Sequence, residues 1–284
     1  MPKNIDIPID VMQMILKNCE YPVVQTVQKA NSILRDLVAE VSPKSSITSI
    51  LIKSCKDSIQ LSLTSGDPES KSLYPKGPKL NIQYQAGKKG CWVVLEKRNG
   101  KKSKKLLKGE NFKAIFWQDF KILMDYHKDA LLDNFEMKFE MVDITLDHNS
   151  QKEALKDHYF RFIADLRDFF SLRSKSHLIV RNVTMKTKNE QGLLFILDLL
   201  DSNYLEGIKV SSVCCLPKLR GFIGSGQPTW SNEKVRNSEH WQKAERVEVD
   251  DFEMIDFENV LHFATVKGRC LSVHMEDLSI LVDA

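Results

Sequence analysis

The sequence predicts an α/β protein: a small N-terminal helical module, then a β-hairpin, then a domain of repeated αβ units around a curved parallel sheet. Three observations predict this fold class. Apolar residues recur at helical spacing up to residue 41, they alternate as in β-strands from residue 47 to about 108, and helical and strand-like segments then alternate to the end. We expect the helical module to occupy residues 1–45 and the αβ domain residues 46–284.

The composition is that of a globular protein without a strong overall charge. Of 284 residues, 42% are hydrophobic and 28% charged, and the 41 basic residues nearly balance the 38 acidic ones, so any electrostatic binding must be local. The apolar runs are too short to cross a bilayer, and the N-terminus lacks the apolar core of a signal peptide, so no membrane contact is expected. The six cysteines form no Cys-x-x-Cys pair, which favours reduced thiols in an intracellular protein, cytoplasmic or nuclear.

The helical module is predicted from two apolar series. Pro8 suits a first helical turn, where its missing N–H is not needed, and Tyr21-Pro22 marks a break, because proline disfavours a helical conformation in the residue before it. The first series comprises Val11, Met14, Ile15 and Leu16, and the second comprises Val23, Val24, Val27, Ala30, Ile33, Leu34, Leu37 and Val38. Helices this short bury little surface alone, so we expect the module to need a partner surface.

Strands are predicted over residues 59–63, 80–84 and 91–95, with a loop at 66–70. A lysine-rich hairpin is expected at about 88–108, because Asn99-Gly100 suits a two-residue type I′ turn, in which both residues have positive φ. Only Glu96 offsets its basic residues, which are Lys88, Lys89, Lys97, Arg98, Lys101, Lys102, Lys104, Lys105 and Lys108.

The lysine cluster has three interpretations. It could neutralise phosphates, with Lys101, Lys102, Lys104 and Lys105 as the polyanion contacts and Trp92 as a stacking face. It could instead bind an acidic protein, which we rank ahead of nucleic acid. A solvated strand edge that discourages aggregation ranks ahead of both.

Helices and strands alternate after Gly109. The expected helices cover 112–131, 151–172, 191–200, a segment ending at 244, and 257–263; the expected strands cover 135–146, 178–185, 205–210, 246–249 and 271–274, with an irregular stretch after 210. Right-handed crossovers through single helices imply a parallel sheet. The unit size is typical of a curved solenoid resembling leucine-rich repeats, and a doubly wound sheet is the competing fold.

No set of catalytic or ligand-binding residues emerges. The glycine-rich segment at 221–226 lacks the lysine and hydroxyl of a phosphate-binding loop, and the histidines show no metal-ligand spacing. Vicinal Cys214-Cys215 are expected to be buried thiols, and Asp250-Asp251 to lie in a solvated loop. We therefore predict no enzyme activity, no metal site and no cofactor.

The N-terminal string Ile7 to Leu16 resembles the opening of an F-box. That pattern has an apolar residue and proline, a hydrophobic residue three positions further, and then an Ile-Leu pair. The following segment keeps the apolar spacing, while Asn31-Ser32 and Leu34 depart from the cysteine-arginine and the tryptophan that are common there.

The remainder resembles the F-box-associated homology (FTH) domain family, which is greatly expanded in nematodes. Three segments carry this resemblance: Gly90-Cys91-Trp92-Val93, Glu239-His240-Trp241-Gln242-Lys243-Ala244, and His262-Phe263 with Met275-Glu276-Asp277-Leu278. His240 stands where the family usually has glutamine. Family members often continue beyond the last motif, so the terminal repeat is expected to be uncapped.

The resemblance implies a substrate-recognition adaptor of a Skp-cullin-F-box ubiquitin ligase. The F-box would dock on the Skp adaptor, and the αβ domain would bind a target protein for ubiquitination. The expected adaptor contacts are Pro8, Val11, Ile15, Leu16, Val24 and Val27, although some of them must form the core of the module. Trp241 and Phe263 are expected in the core of the αβ domain. Two alternatives stay open: a protein-binding scaffold independent of ubiquitin, and an RNA-associated protein that uses the lysine-rich hairpin.

Overall fold

The structure is a computed structural model. It describes residues 9–17, 19, 21–30, 32–41, 45–66, 79–96, 100–127, 129–140, 148–171, 177–187, 190–212, 233–250, 260 and 262–268. The chain forms two compact units, the first built from Met1–Thr48 and Leu63–Ala130 and the second from Ser49–Ser62 and Leu131–Ala284. The domain boundary expected after residue 45 stays a prediction.

The helices and strands follow in this order: α1 (Ile9–Lys17), α2 (Tyr21–Ala30), α3 (Ser32–Val41), β1 (Ile47–Cys55), β2 (Ser58–Ser65), β3 (Lys79–Gly87), β4 (Gly90–Glu96), β5 (Lys102–Lys108), α4 (Phe112–Tyr126), β6 (Leu132–Glu140), α5 (His148–Ser171), β7 (Val180–Thr187), α6 (Glu190–Leu197), β8 (Gly207–Ser212), α7 (Glu233–Arg236), α8 (Glu239–Lys243), β9 (Arg246–Asp250) and β10 (Thr265–Gly268). Among the described helices, none has the length together with the apolar character that crossing a bilayer requires.

Three short helices open the first unit, because the second predicted apolar series divides into α2 and α3. α2 begins at Tyr21, so Pro22 occupies its first turn, where a proline needs no N–H partner. α2 packs against both α3 and α4, and α1 packs against α3. Leu16, Val24 and Val38 are buried in this arrangement. The N-terminal helices therefore share a core with later parts of the chain.

An antiparallel sheet of β3, β4 and β5 completes the first unit together with α4. The pairing of β4 with β5 confirms the predicted hairpin, but the two-residue turn is wrong. A two-residue turn at Asn99-Gly100 would pair Glu96 with Ser103, whereas the register pairs Glu96 with Lys102; residues 97–99 lie outside the described residues. At the other end of the hairpin, Gly90 has a φ of +140°, and a Cβ there would clash with the carbonyl oxygen of Leu107. Only glycine fits this position.

α4 covers one face of this sheet. Asn111 caps the helix, because its side-chain oxygen accepts a hydrogen bond of 2.8 Å from the backbone N–H of Lys113. Phe116 and Phe120 are fully buried, and Phe116 meets the ring of Tyr84 in β3 edge-on at 5.7 Å between ring centroids.

The end of α4 corrects the predicted helix boundary. The apolar spacing extends the helix to Leu131, whereas α4 ends at Tyr126. Asp129 has a φ of 62°, in the left-handed region, and a residue in that conformation stops a helix. Leu131 instead precedes the buried Leu132, the first residue of β6.

The second unit contains a large, mostly parallel sheet, which confirms the α/β class. Its strand order is β10-β9-β8-β7-β6-β1-β2, with parallel pairing from β1 to β10. β6 to β10 are neighbours in chain order, without the reversal that a doubly wound sheet requires over these strands. The likeness to leucine-rich repeats and the F-box module stay predictions.

Two buried apolar rows run across the strands of this sheet. The first row contains Ile50, Phe135, Val183, Ile208 and Val247, and the second contains Ile52, Met137, Met185, Val210 and Val249. α5 packs on this face, since Phe139 in β6 contacts Tyr159 and Phe162, and the Tyr159 hydroxyl lies 2.8 Å from Thr187 Oγ1 in β7. Because side chains alternate along each strand, the residues between the rows lie on the opposite face.

The other predicted helices and strands of the second unit are shifted by a few residues or lie outside the described residues. β6 starts three residues before the predicted strand, and β10 covers Thr265–Gly268, where no strand was expected. The expected strand at 271–274 and the irregular stretch after β8 lie outside the described residues, as does most of the expected helix at 257–263.

Candidate functional site

The first candidate surface is an apolar stripe on α1, formed by Val11, Met14 and Ile15. These side chains are 42%, 66% and 51% exposed, although all three are hydrophobic. Their spacing of three and four residues puts them on one side of the helix. Val23, near the start of α2, is also exposed. An exposed apolar stripe on a short helix is typical of a surface that binds a partner.

The expected adaptor contacts divide into exposed and buried residues. Val11 and Ile15 belong to the α1 stripe, and Val27 is partly exposed. Leu16 and Val24 are buried, so the structure places their side chains in the core of the first unit. Pro8 lies outside the described residues. Adaptor contact stays a prediction for all of them.

A buried carboxylate fastens the N-terminal helices to the rest of the first unit. Asp119 in α4 forms an ion pair with Lys29 of α2 and accepts a hydrogen bond of 2.8 Å from the Tyr84 hydroxyl of β3. The Tyr21 hydroxyl, at the start of α2, donates to the backbone oxygen of Asp119 at 3.1 Å. We call Asp119, Lys29, Tyr21 and Tyr84 the Asp119 cluster. It ties α2 and β3 to a single turn of α4.

The electrostatics of the Asp119 cluster favour neutral tyrosines. Burial raises the pKa of Tyr21 well above its usual value, and the negative charge of Asp119 raises it further. Burial also raises the pKa of Tyr84 well above its usual value, and the charge of Asp119 is again the second cause. Both hydroxyls therefore stay protonated and act as hydrogen-bond donors.

His127 is a second buried polar group of the first unit. Its Nδ1 lies 2.7 Å from Ser45 Oγ, and burial lowers the pKa of the imidazole to about 4. The ring is neutral at physiological pH, so it has no charge with which to bind an anion.

The second candidate surface is the edge strand β5. We call Lys102, Lys104, Lys105 and Lys108 of this strand the lysine edge; all four are exposed. The pairing register puts Lys102, Lys104 and Lys108 on the same face as Trp92, whereas Lys105 lies opposite Val93 on the other face. The four predicted polyanion contacts thus do not form one patch, since Lys101 precedes the strand and Lys105 lies on the other face.

One side of the Trp92 ring is already occupied. The Nζ of Lys104 lies 4.3 Å from the centre of the indole ring, in a cation–π contact. A base could stack on this side of the ring only after displacing Lys104. The Nζ of Lys102 lies 3.5 Å from Glu96 Oε1 on the neighbouring strand.

The third candidate surface is the polar face of the parallel sheet in the second unit, opposite the two apolar rows. Two rows of this face are Ser49, Asn134, Asn182, Gly207, Arg246 and Thr265, and Leu51, Glu136, Thr184, Lys209, Glu248 and Lys267. A face of this composition is suited to charged and amide groups of a partner rather than to an apolar one.

Ion pairs join neighbouring strands across the polar face. Glu248 in β9 accepts from Lys209 in β8 at 2.6 Å and from Lys267 in β10 at 2.8 Å. The hydrogen bonds from the two lysines lower the pKa of Glu248, and the hydrogen bond to Glu248 raises the pKa of Lys267. This arrangement orders three charged side chains across three strands.

A longer polar link crosses three strands at the N-terminal end of the face. The guanidinium of Arg246 in β9 donates to Asn182 Oδ1 in β7 at 3.1 Å, and Gly207 of β8 lies between them. A Cβ at Gly207 would come within 2.5 Å of Asn182 Oδ1, so the absence of a side chain lets the link form. Asn182 is fixed further by a bond of 2.9 Å from its Nδ2 to the backbone oxygen of Asp133.

Metal and redox chemistry find no support in the part of the chain that the structure describes. Within it, no group of three or more potential metal ligands is found. Asp250 of the expected acidic loop belongs to β9, where its carboxylate lies 3.8 Å from Lys209. Asp251, Cys214-Cys215 and the glycine-rich segment at 221–226 lie outside the described residues. The expected lack of metal, cofactor and enzyme activity stays a prediction.

The family motif around Trp241 forms part of the core of the second unit. Trp241 is buried and meets Phe263 edge-on at 5.1 Å between ring centroids. His262 Nε2 lies 2.9 Å from the backbone oxygen of Trp241, and His240 Nε2 lies 2.8 Å from that of Leu200. These residues hold the last described strands together, as expected for Trp241 and Phe263.

Residues 160–284 match the family model of the FTH domain. The predicted resemblance is confirmed over this range, which contains the second half of α5, all later helices and strands, and the motif around Trp241. The FTH domain thus supplies β7 to β10, four of the parallel strands of the second unit. The N-terminal F-box resemblance and the Gly90–Val93 segment lie outside the match and stay predictions.

Two further comparisons gave no relatives. No curated protein matches the chain, and no solved structure matches it either.

Two features of the candidate surfaces were not expected from the sequence. The Asp119 cluster joins residues far apart in the chain, and its only local signal is an aspartate among the apolar residues of α4. The polar face depends on β1 and β10, neither of which was predicted as a strand. Alternating charged residues in 246–250 are the signal that could have indicated this face.

Proposed function

We propose that this protein is a substrate-recognition adaptor of a Skp-cullin-F-box ubiquitin ligase. The observation that carries the proposal is the match of residues 160–284 to the FTH domain, an F-box-associated family. The N-terminal helices support it, because they present apolar residues to solvent. In this function the helices recruit the Skp adaptor, and the FTH domain selects a target protein.

The α1 stripe is the proposed contact with the adaptor. Val11, Met14 and Ile15 are exposed apolar side chains in the segment that resembles an F-box. A few apolar anchors surrounded by polar residues supply most of the binding energy in interfaces of this kind. Leu16 and Val24 are buried in the core of the first unit, so we expect them to affect adaptor binding only by keeping the helices in place.

The polar face of the second unit is the proposed contact with the target. Its ordered ion pairs offer fixed charges of both signs, and such a pattern favours a partner with the complementary arrangement. Because the network already satisfies many of its own charges, we expect selectivity for a matching surface rather than a general affinity for acidic or basic proteins.

A scaffold that works without the ubiquitin ligase is the second candidate. It is favoured by the Asp119 cluster, which gives α2 a structural role in the first unit. In this case the helices would stabilise the first unit, and only the polar face would bind a partner.

Titration of the purified chain with the Skp adaptor distinguishes the two candidates. We would compare the wild type with Val11→Asp and Ile15→Asp, and with Val266→Asp as the control. Val266 in β10 is 43% exposed, almost the same as Val11, so the same change is made in the other unit.

Adaptor binding that is lost in Val11→Asp and Ile15→Asp but kept in Val266→Asp would support the ligase adaptor. A folded wild type that does not bind the adaptor would contradict it and favour the scaffold. Circular dichroism of each variant checks that the fold is retained.

A further inference from the structure

The lysine edge is a basic strand edge that the proposed function does not use. β5 pairs only with β4 among the described strands, so the other side of its backbone has no strand partner there. Alternate residues along an edge strand direct their N–H and C=O groups outward, which is a template for one more strand. Two carboxylates, Glu96 and Glu110, lie in or next to this part of the hairpin.

We propose that an acidic, extended segment of a partner protein binds to the lysine edge as an added β-strand. Its backbone would pair with the outer side of β5, and its acidic side chains would lie beside Lys102, Lys104 and Lys108. These lysines share one face of the strand, so a segment with acidic residues at alternate positions matches them. The proposal does not depend on the ligase adaptor function.

The charge of the edge selects this occupant over a second copy of the chain. Two copies paired through β5 would bring lysines of both chains together, and like charges directly opposite each other in a sheet are destabilising. Lysines on an edge oppose pairing with other basic strands for the same reason. An acidic strand turns that repulsion into attraction.

The geometry also favours a polypeptide over a nucleic acid. Binding of single strands relies on bases stacked on open aromatic rings, and Lys104 already lies over Trp92 at 4.3 Å. The outward backbone groups of β5, which have no strand partner among the described residues, suit peptide amides, which a phosphodiester chain does not have. Lysines on both faces of the strand also do not form the single groove that follows a phosphate backbone.

The test measures binding of a labelled peptide in which glutamate alternates with threonine, by fluorescence anisotropy with the full chain. Two further probes are the same peptide with alternate backbone amides N-methylated, and a single-stranded oligothymidylate of equal charge. N-methylation keeps the carboxylates and removes the N–H groups that a strand needs.

Two double variants decide the test, because both change the net charge of the chain by the same amount but at different positions. Lys104→Glu with Lys108→Glu alters the face with Trp92, whereas Lys105→Glu with Lys121→Glu alters the other face and an exposed site on α4. We expect the first pair to weaken peptide binding about tenfold or more and the second by less than about threefold, because solvent and salt screen the more distant charges.

Peptide binding that follows this order and is lost on N-methylation supports the proposal. Equal binding of the N-methylated peptide would overturn strand addition. If the oligothymidylate bound more tightly than the peptide, with the same dependence on Lys104 and Lys108, the ligand of the lysine edge would be a nucleic acid and the proposal would be wrong. Absence of peptide binding to the folded chain would overturn the proposal as a whole.

Discussion

Removing the carboxylate of Asp119 should destabilise the first unit strongly, although α4 itself needs no charge at this position. The side chain is buried, and it accepts from the Tyr84 hydroxyl at 2.8 Å while it pairs with Lys29. In Asp119→Ala both partners lose their acceptor. The effect then depends on which of them can reach water instead.

The two partners differ in exposure, and this difference gives the magnitude. Tyr84 is fully buried, and a buried hydroxyl left without an acceptor costs about 1–3 kcal/mol. The Lys29 side chain is 46% exposed and can be hydrated again, so its lost ion pair adds at most about 1 kcal/mol. We expect Asp119→Ala to lower the free energy of unfolding by about 1–4 kcal/mol, a range that lies mostly under the 3–5 kcal/mol typical of a fully buried broken pair.

Equilibrium urea unfolding, followed by circular dichroism, measures this loss. Asp36→Ala is the control, because it removes an exposed carboxylate from α3 of the same unit and should change stability by less than about 0.5 kcal/mol. The double variant with Tyr84→Phe should lose about 1 kcal/mol less than the sum of the single variants. If Asp119→Ala were no less stable than Asp36→Ala, the Asp119 cluster would not hold the first unit together.

Three other changes test single residues. Burial keeps the pKa of His127 at about 4, below the unfolded value of about 6.5. Acidification from pH 6.5 to 4 should therefore remove about 3 kcal/mol of stability. In urea titrations at a series of pH values, His127→Gln should make the free energy of unfolding depend less on pH over this range. Gly90→Ala should destabilise by at least about 3 kcal/mol, because it adds both unfavourable φ and a backbone clash, and a thermal melt near that of the wild type would contradict this reasoning. Gly207→Ala should cost only about 1 kcal/mol, since Asn182 can move aside, but it should break the link to Arg246, which side-chain NMR of Asn182 would detect.

The sequence predicted strands well where one face is apolar and poorly where buried residues are polar. β9 alternates buried valines with charged residues, so its pattern was clear. β1 was not predicted separately, because its buried positions include Thr48 and Ser54, which hydropathy does not mark as core. Both are satisfied by hydrogen bonds, to the backbone oxygen of Thr64 at 3.2 Å and to His158 at 3.0 Å. The four residues of β10 are all exposed, and Val266 is the one large apolar residue among them, which is too few for an alternating pattern.

The candidate surfaces were predictable only in part, for a related reason. Apolar spacing identified the N-terminal helices, but it does not say which side of a helix another element covers. Val11 stayed exposed, whereas Val24 became buried when α2 packed against α4. Lysines were visible in the sequence, but their division between two faces required the register of β4 with β5.

The Asp119 cluster also affects when the N-terminal helices can acquire their native contacts. Tyr21 and Asp119 are 98 positions apart. At about 5–20 residues per second, the ribosome needs roughly 5–20 s to synthesise the chain between them. Helices of this length are marginal alone, and during that interval α2 has α3 as a neighbour but lacks α4 and the Asp119 cluster, so that α4 does not yet cover Val24. The emerging chain should therefore present a binding site for chaperones that disappears once α4 has folded.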